Sequence, residues 1–229
     1  LDLIKTGAIS ILRGNQSEIK AIYDALSPNN QIDTSTTGKG VDGVQVEDSA
    51  VMTYRLARLI NCPVVATGEE DYVSDGTRIF AVPHGHPIMT AVTGTGCLLG
   101  AVLAAFFSAY QPCKNTLSIG EFLAYALAYY GLAGESAVQV SGVKPGSFGV
   151  AFMDSLYTLD DTMLVSENRI RPIVVPDQLQ VYFVCGTQDT GLNKKRLLEI
   201  VEEACRGGVT CFQFREKGDG TLEGQQKLE

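Results

Sequence analysis

A glycine-rich turn that leads directly into a long apolar segment constrains the fold of this chain more than any other feature. Residues 92–97 read Val-Thr-Gly-Thr-Gly-Cys, and residues 98–101 read Leu-Leu-Gly-Ala. Small residues at a helix start leave several backbone N–H groups pointing at one spot, where the helix dipole adds partial positive charge. The turn therefore predicts an anion site formed by Gly94, Thr95 and Gly96, with Cys97 at its rim.

The residues of the turn leave two other interpretations open. A Gly-x-Gly turn can serve only to pack a helix tightly against a strand. A dinucleotide-binding fold, and with it an oxidoreductase, needs a third glycine where this chain has Leu99, and Gly100 comes one place late. A P-loop is excluded, because Lys39 is followed by Gly40 rather than Ser or Thr and Asp33 occupies the place of the first glycine.

The hydrophobic periodicity around the turn indicates an α/β protein. Short apolar runs predict strands at residues 8–12 and 63–67, and residues 72–82 predict a hairpin turned at Asp75 and Gly76. Apolar residues at helical spacing predict helices at residues 18–26, 49–60, 97–110, 119–139 and 147–159. Strands followed by helices in this order are typical of the α/β class.

The last part of the chain predicts a second, smaller domain. Residues 160–178 lose the helical periodicity and contain Pro172 and Pro176, as an inter-domain linker does. A strand at 181–185, a helix at 194–206 and a strand at 208–214 predict one βαβ unit. The predicted organisation is a first domain at residues 1–160, a linker at 161–177 and a second domain at 178–229.

Composition limits the partners. The chain has 18 Lys and Arg against 26 Asp and Glu, a formal net charge of −8, which argues against a nucleic-acid partner. The cysteines lack metal or disulfide spacing, and His84 and His86 lack a third ligand, so we expect no metal site there and solvent-exposed histidines. The longest apolar stretch, residues 97–107, is too short to span a bilayer, and no signal-peptide pattern opens the chain. We expect a cytoplasmic protein without a membrane partner.

Four further sequence blocks surround the glycine turn in order. They are Arg-Gly-Asn-x-x-Glu at residues 13–18, Lys-Gly-Val-Asp at 39–42, Thr-Gly-Glu-x-Asp-Tyr-Val-x-Asp-Gly at 67–76 and Pro-Gly-Ser-Phe at 145–148. With the Gly-Thr-Gly-Cys turn, these blocks resemble the hydroxyethylthiazole kinase family over residues 1–160. The resemblance implies a ribokinase-like, layered α/β fold and the ATP- and Mg²⁺-dependent phosphorylation of the primary alcohol of hydroxyethylthiazole in thiamine biosynthesis.

The resemblance also implies roles for residues at matching positions. Cys97 takes the catalytic position, where relatives in the wider superfamily usually have Asp, and Gly94 contacts the thiazole. Arg13 and Thr67 are implied as ATP contacts. The positive end of a helix favours a thiolate that can accept the proton of the alcohol, whereas the alternative for Cys97 is a small buried hydrophobe. The alternative for Arg13 is a solvated surface residue.

Asn15 and Glu18 resemble the magnesium-organising motif of the superfamily, since an amide and a carboxylate one helical turn apart suit a hydrated hard cation. The alternative for Glu18 is an acid at a helix N-terminus, which the dipole favours. The resemblance further implies a homotrimer with its substrate site between subunits. Because the chain begins at Leu1, without the N-terminal strands of the family, we interpret it as a fragment, and an inactive fragment stays an alternative to the kinase.

Residues from 178 onward resemble the start of thiamine-phosphate synthase, a (β/α)₈ barrel. The motif is Gln-Phe-Arg-Glu-Lys at residues 213–217. Strand alternation places Gln213, Arg215 and Lys217 on one face at the carboxyl end of the strand, where two cations suit a pyrimidine diphosphate. The alternative is an ordinary charged strand end. Two predicted strands cannot close a barrel of eight, so we expect an incomplete barrel segment of a bifunctional enzyme, without synthase activity.

Overall fold

The computed structural model describes residues 2–27, 44–179 and 181–215. The chain divides into two compact units, Leu1–Val174 and Val175–Glu229. The elements of the first unit are α1 (Asp2–Lys5), β1 (Leu12–Asn15), α2 (Gln16–Leu26), α3 (Val44–Ile60), β2 (Val64–Thr67), β3 (Asp71–Ser74), β4 (Ile79–Val82), α4 (Thr95–Ala109), α5 (Ile119–Ser141), α6 (Pro145–Thr158), α7 (Asp161–Ser166) and β5 (Arg171–Ile173). Those of the second unit are β6 (Tyr182–Cys185), α8 (Lys194–Arg206) and β7 (Cys211–Phe214). Short 3-10 helices lie at Pro87–Ala91, Gln111–Cys113, Pro176–Leu179 and Thr187–Thr190.

A mixed sheet with the strand order β1-β2-β3-β4-β5 forms the centre of the first unit. β1 and β2 pair in parallel, and each later neighbour pairs antiparallel. The predicted hairpin is confirmed: β3 and β4 are joined by a turn in which the Asp75 carboxylate accepts hydrogen bonds from the N–H groups of Thr77 and Arg78. Gly76 follows with a φ of 85°, a left-handed conformation that glycine adopts at little cost.

The sheet is buried on both faces. Val65, Val73 and Phe80 belong to the core cluster that α4, α5 and α6 complete. Their strand neighbours Val64 and Tyr72 are also fully buried. Because successive strand residues point to opposite faces, and α3 packs against β2 and β3, helices cover the sheet on either side. The predicted α/β class is confirmed as a mixed, layered α/β fold.

The strand predicted at residues 8–12 is wrong by several positions. β1 runs over Leu12–Asn15 and pairs residue by residue with Val64–Thr67. These residues are less apolar than residues 8–12, but they form the strand because they pair with the backbone of the buried strand β2. Pairing to a buried strand outweighs local hydrophobicity. Arg13 and Gly14, which follow the predicted strand, therefore lie within β1 of the sheet.

The prediction of a linker at residues 161–177 is also wrong for most of its length. Residues 161–166 form α7, and β5 adds a fifth strand by pairing Pro172 with Phe80 and Arg171 with Ala81. Proline is tolerated because β5 lies at the edge of the sheet. The first unit consequently extends to Val174.

The second unit contains the predicted βαβ arrangement. β6 and β7 pair in parallel, and α8 connects them along the chain, although β7 begins at Cys211 rather than at residue 208. The block at residues 39–42 and Lys217 lie outside the described residues. Within the part of the chain that the structure describes, no helix is both long and apolar enough to cross a membrane.

Candidate active site

A cavity of about 860 Å³ lies at the carboxyl ends of β1 and β2. Its walls come from β1, the β2–β3 turn, the segment before α4, the first turn of α4 and the middle of α5. Ligands of α/β proteins characteristically bind outside the carboxyl ends of parallel strands. The position of the cavity therefore makes it the candidate active site.

The structure brings most of the predicted site residues of the first unit to this cavity. The predicted residues among its lining are Arg13, Asn15, Thr67, Thr95 and Gly96. Gly94 and Cys97 adjoin this lining in the chain and Glu18 is hydrogen-bonded to Asn15, but these three residues are not part of the lining. Cys97 is exposed in the first turn of α4, so its alternative as a buried hydrophobe is wrong.

The Arg13 guanidinium lies against the start of α4. A Cβ atom added to Gly96 would come within 3.2 Å of the Arg13 Nη2 atom. The Arg13 Nε atom is buried and has no hydrogen-bond partner among the described residues. A buried donor without a partner is costly, and a charged one is satisfied best by an anion. The arrangement suits the binding of a phosphate or carboxylate by the Arg13 guanidinium.

The first turn of α4 has the geometry of an anion site. Gly94 caps the helix with a φ of 98°, a conformation that side-chain-bearing residues rarely adopt. The first helical hydrogen bond runs from the Leu98 N–H to the Gly94 carbonyl at 2.8 Å, so the N–H groups of Gly96 and Cys97 precede it. The helix therefore begins two residues earlier than position 97, where the sequence predicted its start, and Cys97 lies within its first turn.

Two side chains hold this turn in place. The Thr95 Oγ1 atom lies 2.8 Å from the Met89 carbonyl oxygen and donates toward it, linking α4 to the 3-10 helix Pro87–Ala91. The Tyr130 hydroxyl of α5 donates to the Thr95 carbonyl oxygen at 2.5 Å. Tyr130 is almost fully buried, and it lines the cavity beside Gly96. Sequence reasoning missed Tyr130, because an aromatic residue in an apolar helix indicates only core packing.

Thr67 and Asp71 define the β2–β3 side of the cavity. The Thr67 Oγ1 atom donates to the Gly14 carbonyl at 3.3 Å, and the Gly68 N–H donates to the Asp71 carboxylate at 2.9 Å. Burial raises the pKa of Asp71 to about 7, although the Gly68 hydrogen bond and the Arg13 charge oppose that shift. Asp71 was not singled out from the sequence, since the Thr-Gly-Glu-x-Asp pattern does not reveal its burial.

The raised pKa of Asp71 predicts a pH-dependent stability. The ordinary pKa is 3.8 and the folded value is about 7, so between these pH values the folded protein keeps a proton that the unfolded chain has released. The free energy of unfolding therefore falls as the pH rises through this window and levels off above it. We expect Asp71→Asn to remove this part of the slope in urea titrations at pH 5 and pH 8. The exposed control Asp154→Asn should keep it, and an unchanged slope in Asp71→Asn would contradict the prediction.

Asn15 and Glu18 form a capping box at the start of α2. The Asn15 Oδ1 atom accepts the Glu18 N–H at 2.8 Å, and the Glu18 Oε2 atom accepts the Asn15 N–H at 2.8 Å. Glu18 thus has the helix-terminal role that was its alternative in the sequence. Among the described residues, no group of three or more His, Cys, Asp or Glu side chains could bind a metal ion by itself.

The expectation of two solvent-exposed histidines is wrong for His84, whose side chain is buried. The His84 Nε2 atom accepts the Arg169 N–H at 3.1 Å, and burial and the Arg169 charge lower the pKa of His84 against the opposing effect of Glu135. His86 instead caps the helix at Pro87, its Nδ1 atom accepting the Ile88 N–H at 3.2 Å. Both histidines therefore shape the cavity wall.

The predicted diphosphate residues lie in the second unit. Gln213 is on β7, where its Oε1 atom accepts the Tyr182 hydroxyl proton at 2.5 Å. Arg215 follows the strand and is exposed, and its carbonyl accepts a hydrogen bond from the Gln188 side chain at 2.8 Å. Since Lys217 is outside the described residues, the pair of cations stays a prediction.

In this layered α/β fold, an arginine and the glycine-rich start of α4 meet at one cavity, an arrangement that suits an anionic group. Comparison with known proteins gives the family. The chain belongs to the hydroxyethylthiazole kinase family, whose model matches residues 1–162.

The relatives agree with this assignment. The chain is similar to hydroxyethylthiazole kinase of Moorella thermoacetica, at 41% identity over 74% of this chain and 58% of the relative. It is also similar to hydroxyethylthiazole kinase of Streptococcus agalactiae serotype Ia, at 38% identity over 73% of this chain and 60% of the relative. The structure of hydroxyethylthiazole kinase from Pyrococcus horikoshii OT3 superimposes with a TM-score of 0.58 at 30% identity, covering 72% of this chain and 56% of that one. The chain thus spans about 60% of the length of the curated relatives it matches.

Proposed function

We propose that this chain is part of an enzyme that transfers a phosphoryl group from ATP to the primary alcohol of hydroxyethylthiazole in thiamine biosynthesis. Family membership over residues 1–162 supports the proposal. The observation that carries it is the Arg13 guanidinium, whose buried Nε atom has no partner among the described residues and which lies against the first turn of α4.

The residues of the cavity fit the phosphates of ATP. Arg13 supplies a planar set of donors that suits phosphate oxygens. The N–H groups of Gly96 and Cys97 add donors at the positive end of α4. Thr67 and Gly68, at the end of β2, line the same cavity and are suited to contact the nucleotide. Gly94 is proposed as the contact on the thiazole side.

Cys97 is proposed as the base of the reaction. Its thiolate accepts the proton of the substrate hydroxyl, whose oxygen then forms a bond to the terminal phosphorus of ATP while the bond to the ADP oxygen breaks. Arg13 and the first turn of α4 stabilise the charge that develops on the transferred group. A thiol exposed at a helix start is accessible to the substrate for this step.

Magnesium is proposed as the partner of the ATP phosphates. Mg²⁺ usually keeps several waters and needs only one or two carboxylates beside the phosphates, so the lack of a metal cluster within the described residues does not conflict with it. Glu18 is exposed and stands next to Asn15, which lines the cavity. Its Oε2 atom forms the capping box, and we propose its Oε1 atom as the oxygen that faces the hydrated ion.

A ligand titration followed by thermal unfolding tests the proposal. We expect ATP with Mg²⁺ to raise the melting temperature, and NAD to leave it unchanged. A response to NAD would favour the oxidoreductase instead. A protein that responds to neither ligand, and phosphorylates no hydroxyethylthiazole, would be the inactive fragment.

Replacement of Arg13 provides a sharper test. We expect Arg13→Ala to weaken ATP binding about tenfold or more, the effect of losing a charge-assisted hydrogen bond. Affinity for hydroxyethylthiazole should change little, because a guanidinium serves phosphate rather than a neutral heterocycle. The control is Arg78→Ala, which removes an arginine that pairs with Glu121 instead. Isothermal titration calorimetry measures both ligands, and equal losses for both would contradict the proposed role.

Three further properties are proposed for the whole protein. We propose a homotrimer, which light scattering tests, and a cytoplasmic location. We also propose that residues 178–229 begin a thiamine-phosphate synthase barrel, supported by the parallel β6–α8–β7 unit and by the exposed Arg215 at the end of β7. In a chain extended by the remaining barrel strands, binding of a pyrimidine diphosphate that Arg215→Ala weakens tests this last proposal.

A further inference from the structure

We infer that Gly96 and Tyr130 are positioning residues of the proposed phosphate site. Gly96, which has no side chain, admits the Arg13 guanidinium to the first turn of α4, and the Tyr130 hydroxyl fixes that turn. The inference rests on the phosphate site of the proposed function. It explains why three separate elements, β1, α4 and α5, meet at this point of the cavity.

The role of Gly96 follows from the space beside it. A Cβ atom there would lie 3.2 Å from Nη2 and 3.8 Å from Nη1 of Arg13. The first distance is tighter than ordinary van der Waals contact, so the guanidinium would have to shift by a few tenths of an ångström away from the helix start. Gly96 does not need a left-handed backbone, since its φ is not among the positive values in the chain. Close approach to Arg13 is therefore the reason that the structure gives for a glycine at this position.

The role of Tyr130 follows from where its hydroxyl binds. The hydroxyl donates to the Thr95 carbonyl at 2.5 Å, in the residue that follows the Gly94 cap. The ring packs edge-on against Phe152, with 5.0 Å between ring centroids, which fixes the direction of the hydroxyl. The hydrogen bond thus joins the peptide group between Thr95 and Gly96 to the buried middle of α5. Burial raises the pKa of Tyr130, so the hydroxyl stays protonated and able to donate at neutral pH.

The chain contains a matched control for each residue. Gly100 lies one turn further along α4, and a Cβ atom added there would meet nothing within 4 Å. Tyr129 neighbours Tyr130 on α5 and also donates to a backbone carbonyl, that of Leu156, but it is not part of the cavity lining. The pairs Gly96→Ala with Gly100→Ala, and Tyr130→Phe with Tyr129→Phe, therefore change the same chemical groups inside and outside the proposed site.

Calorimetric titration of the full chain with ATP and with inorganic tripolyphosphate tests the inference. We expect Gly96→Ala to weaken both affinities about tenfold, because the charged guanidinium is displaced from its hydrogen bonds to phosphate. We expect Tyr130→Phe to weaken them about threefold to tenfold, because one hydrogen bond that holds the turn is lost. Adenosine, which has no phosphate, should bind equally to all variants. Both control variants should stay within about twofold of the wild type.

A double variant distinguishes positioning from damage to the fold. If Gly96→Ala acts by displacing the guanidinium, it should have no further effect in the Arg13→Ala background, so the two losses will not add. Additive losses, or equal losses in Gly96→Ala and Gly100→Ala, would overturn the inference while the proposed kinase function stands. If the wild type binds tripolyphosphate but not ATP, and Gly96→Ala weakens it, the proposed function fails and the inference stands. If the wild type binds neither anion, both fall.

Discussion

Gly131→Ala is expected to be the most destabilising of the Gly→Ala changes in α5. A Cβ atom at Gly131 would lie 2.5 Å from the His84 Cβ, 2.7 Å from the His84 carbonyl carbon and 2.9 Å from the Gly85 nitrogen. Two of these are backbone atoms, which cannot rotate away as the end of a flexible side chain can. We expect the variant to lose about 3 kcal/mol of its free energy of unfolding, because α5 must separate from the segment that it packs against.

The control for this prediction is Gly149→Ala in α6. A Cβ atom there would lie 3.9 Å from the Val92 Cγ1 atom, an ordinary contact. Alanine favours helix over glycine by about 0.5–1 kcal/mol, so this variant should be as stable as the wild type or more stable. Urea titrations followed by circular dichroism measure both. Similar midpoints for Gly131→Ala and the wild type would show that the two backbones separate easily, and His84 and Gly85 would then be a mobile part of the cavity wall.

The helices could be predicted from the sequence because their signals are local. The prediction for residues 194–206 coincides with α8, and that for residues 119–139 falls two residues short of the end of α5. The start of α5 has a local cause, since the Ser118 Oγ atom accepts the Glu121 N–H at 3.1 Å. Apolar spacing and a capping residue are both visible within one window of sequence.

The strands at the edges of the sheet could not be predicted in the same way. β1 contains Arg13 and Asn15, and β5 contains Pro172, so neither has the apolar alternation of a typical strand. Each is a strand because it forms backbone hydrogen bonds with a buried strand, β2 or β4, from a distant part of the sequence. Such pairings depend on the tertiary fold, and the strand propensities of the individual residues do not reveal it.

The candidate site shows the same division. The turn at Gly94–Gly96 was predictable, since closely spaced glycines and the start of an apolar helix are both visible in the local sequence and together indicate an anion site. Asp71, His84 and Tyr130 were not, because their importance comes from burial and from partners on other elements. The sequence analysis gave an acid at a helix N-terminus as the alternative for Glu18, and the structure shows this acid in a capping box.

Cys97→Ala is expected to have the largest effect on the proposed reaction. Proton removal by the thiolate acts only on the way to the transition state, so kcat should fall about 10²-fold or more while KM changes little. Cys97→Asp should keep much of the activity, because a carboxylate at the same position can accept the same proton. Turnover is measured as ADP release with hydroxyethylthiazole as the acceptor.

Cys113→Ala is the control for the loss of a thiol, since Cys113 lies in the 3-10 helix Gln111–Cys113, beyond the carboxyl end of α4, whereas Cys97 lies in the first turn of that helix. Because Cys97 is exposed at a helix surface, its replacement by Ala creates no buried cavity, and thermal unfolding should be nearly unchanged. A fall in kcat at constant stability then assigns the loss to chemistry rather than to folding. If Cys97→Ala and Cys113→Ala turn over alike, the proton must leave through another group, and Asp71, whose pKa of about 7 suits proton transfer near neutral pH, is the carboxylate of the cavity to replace next.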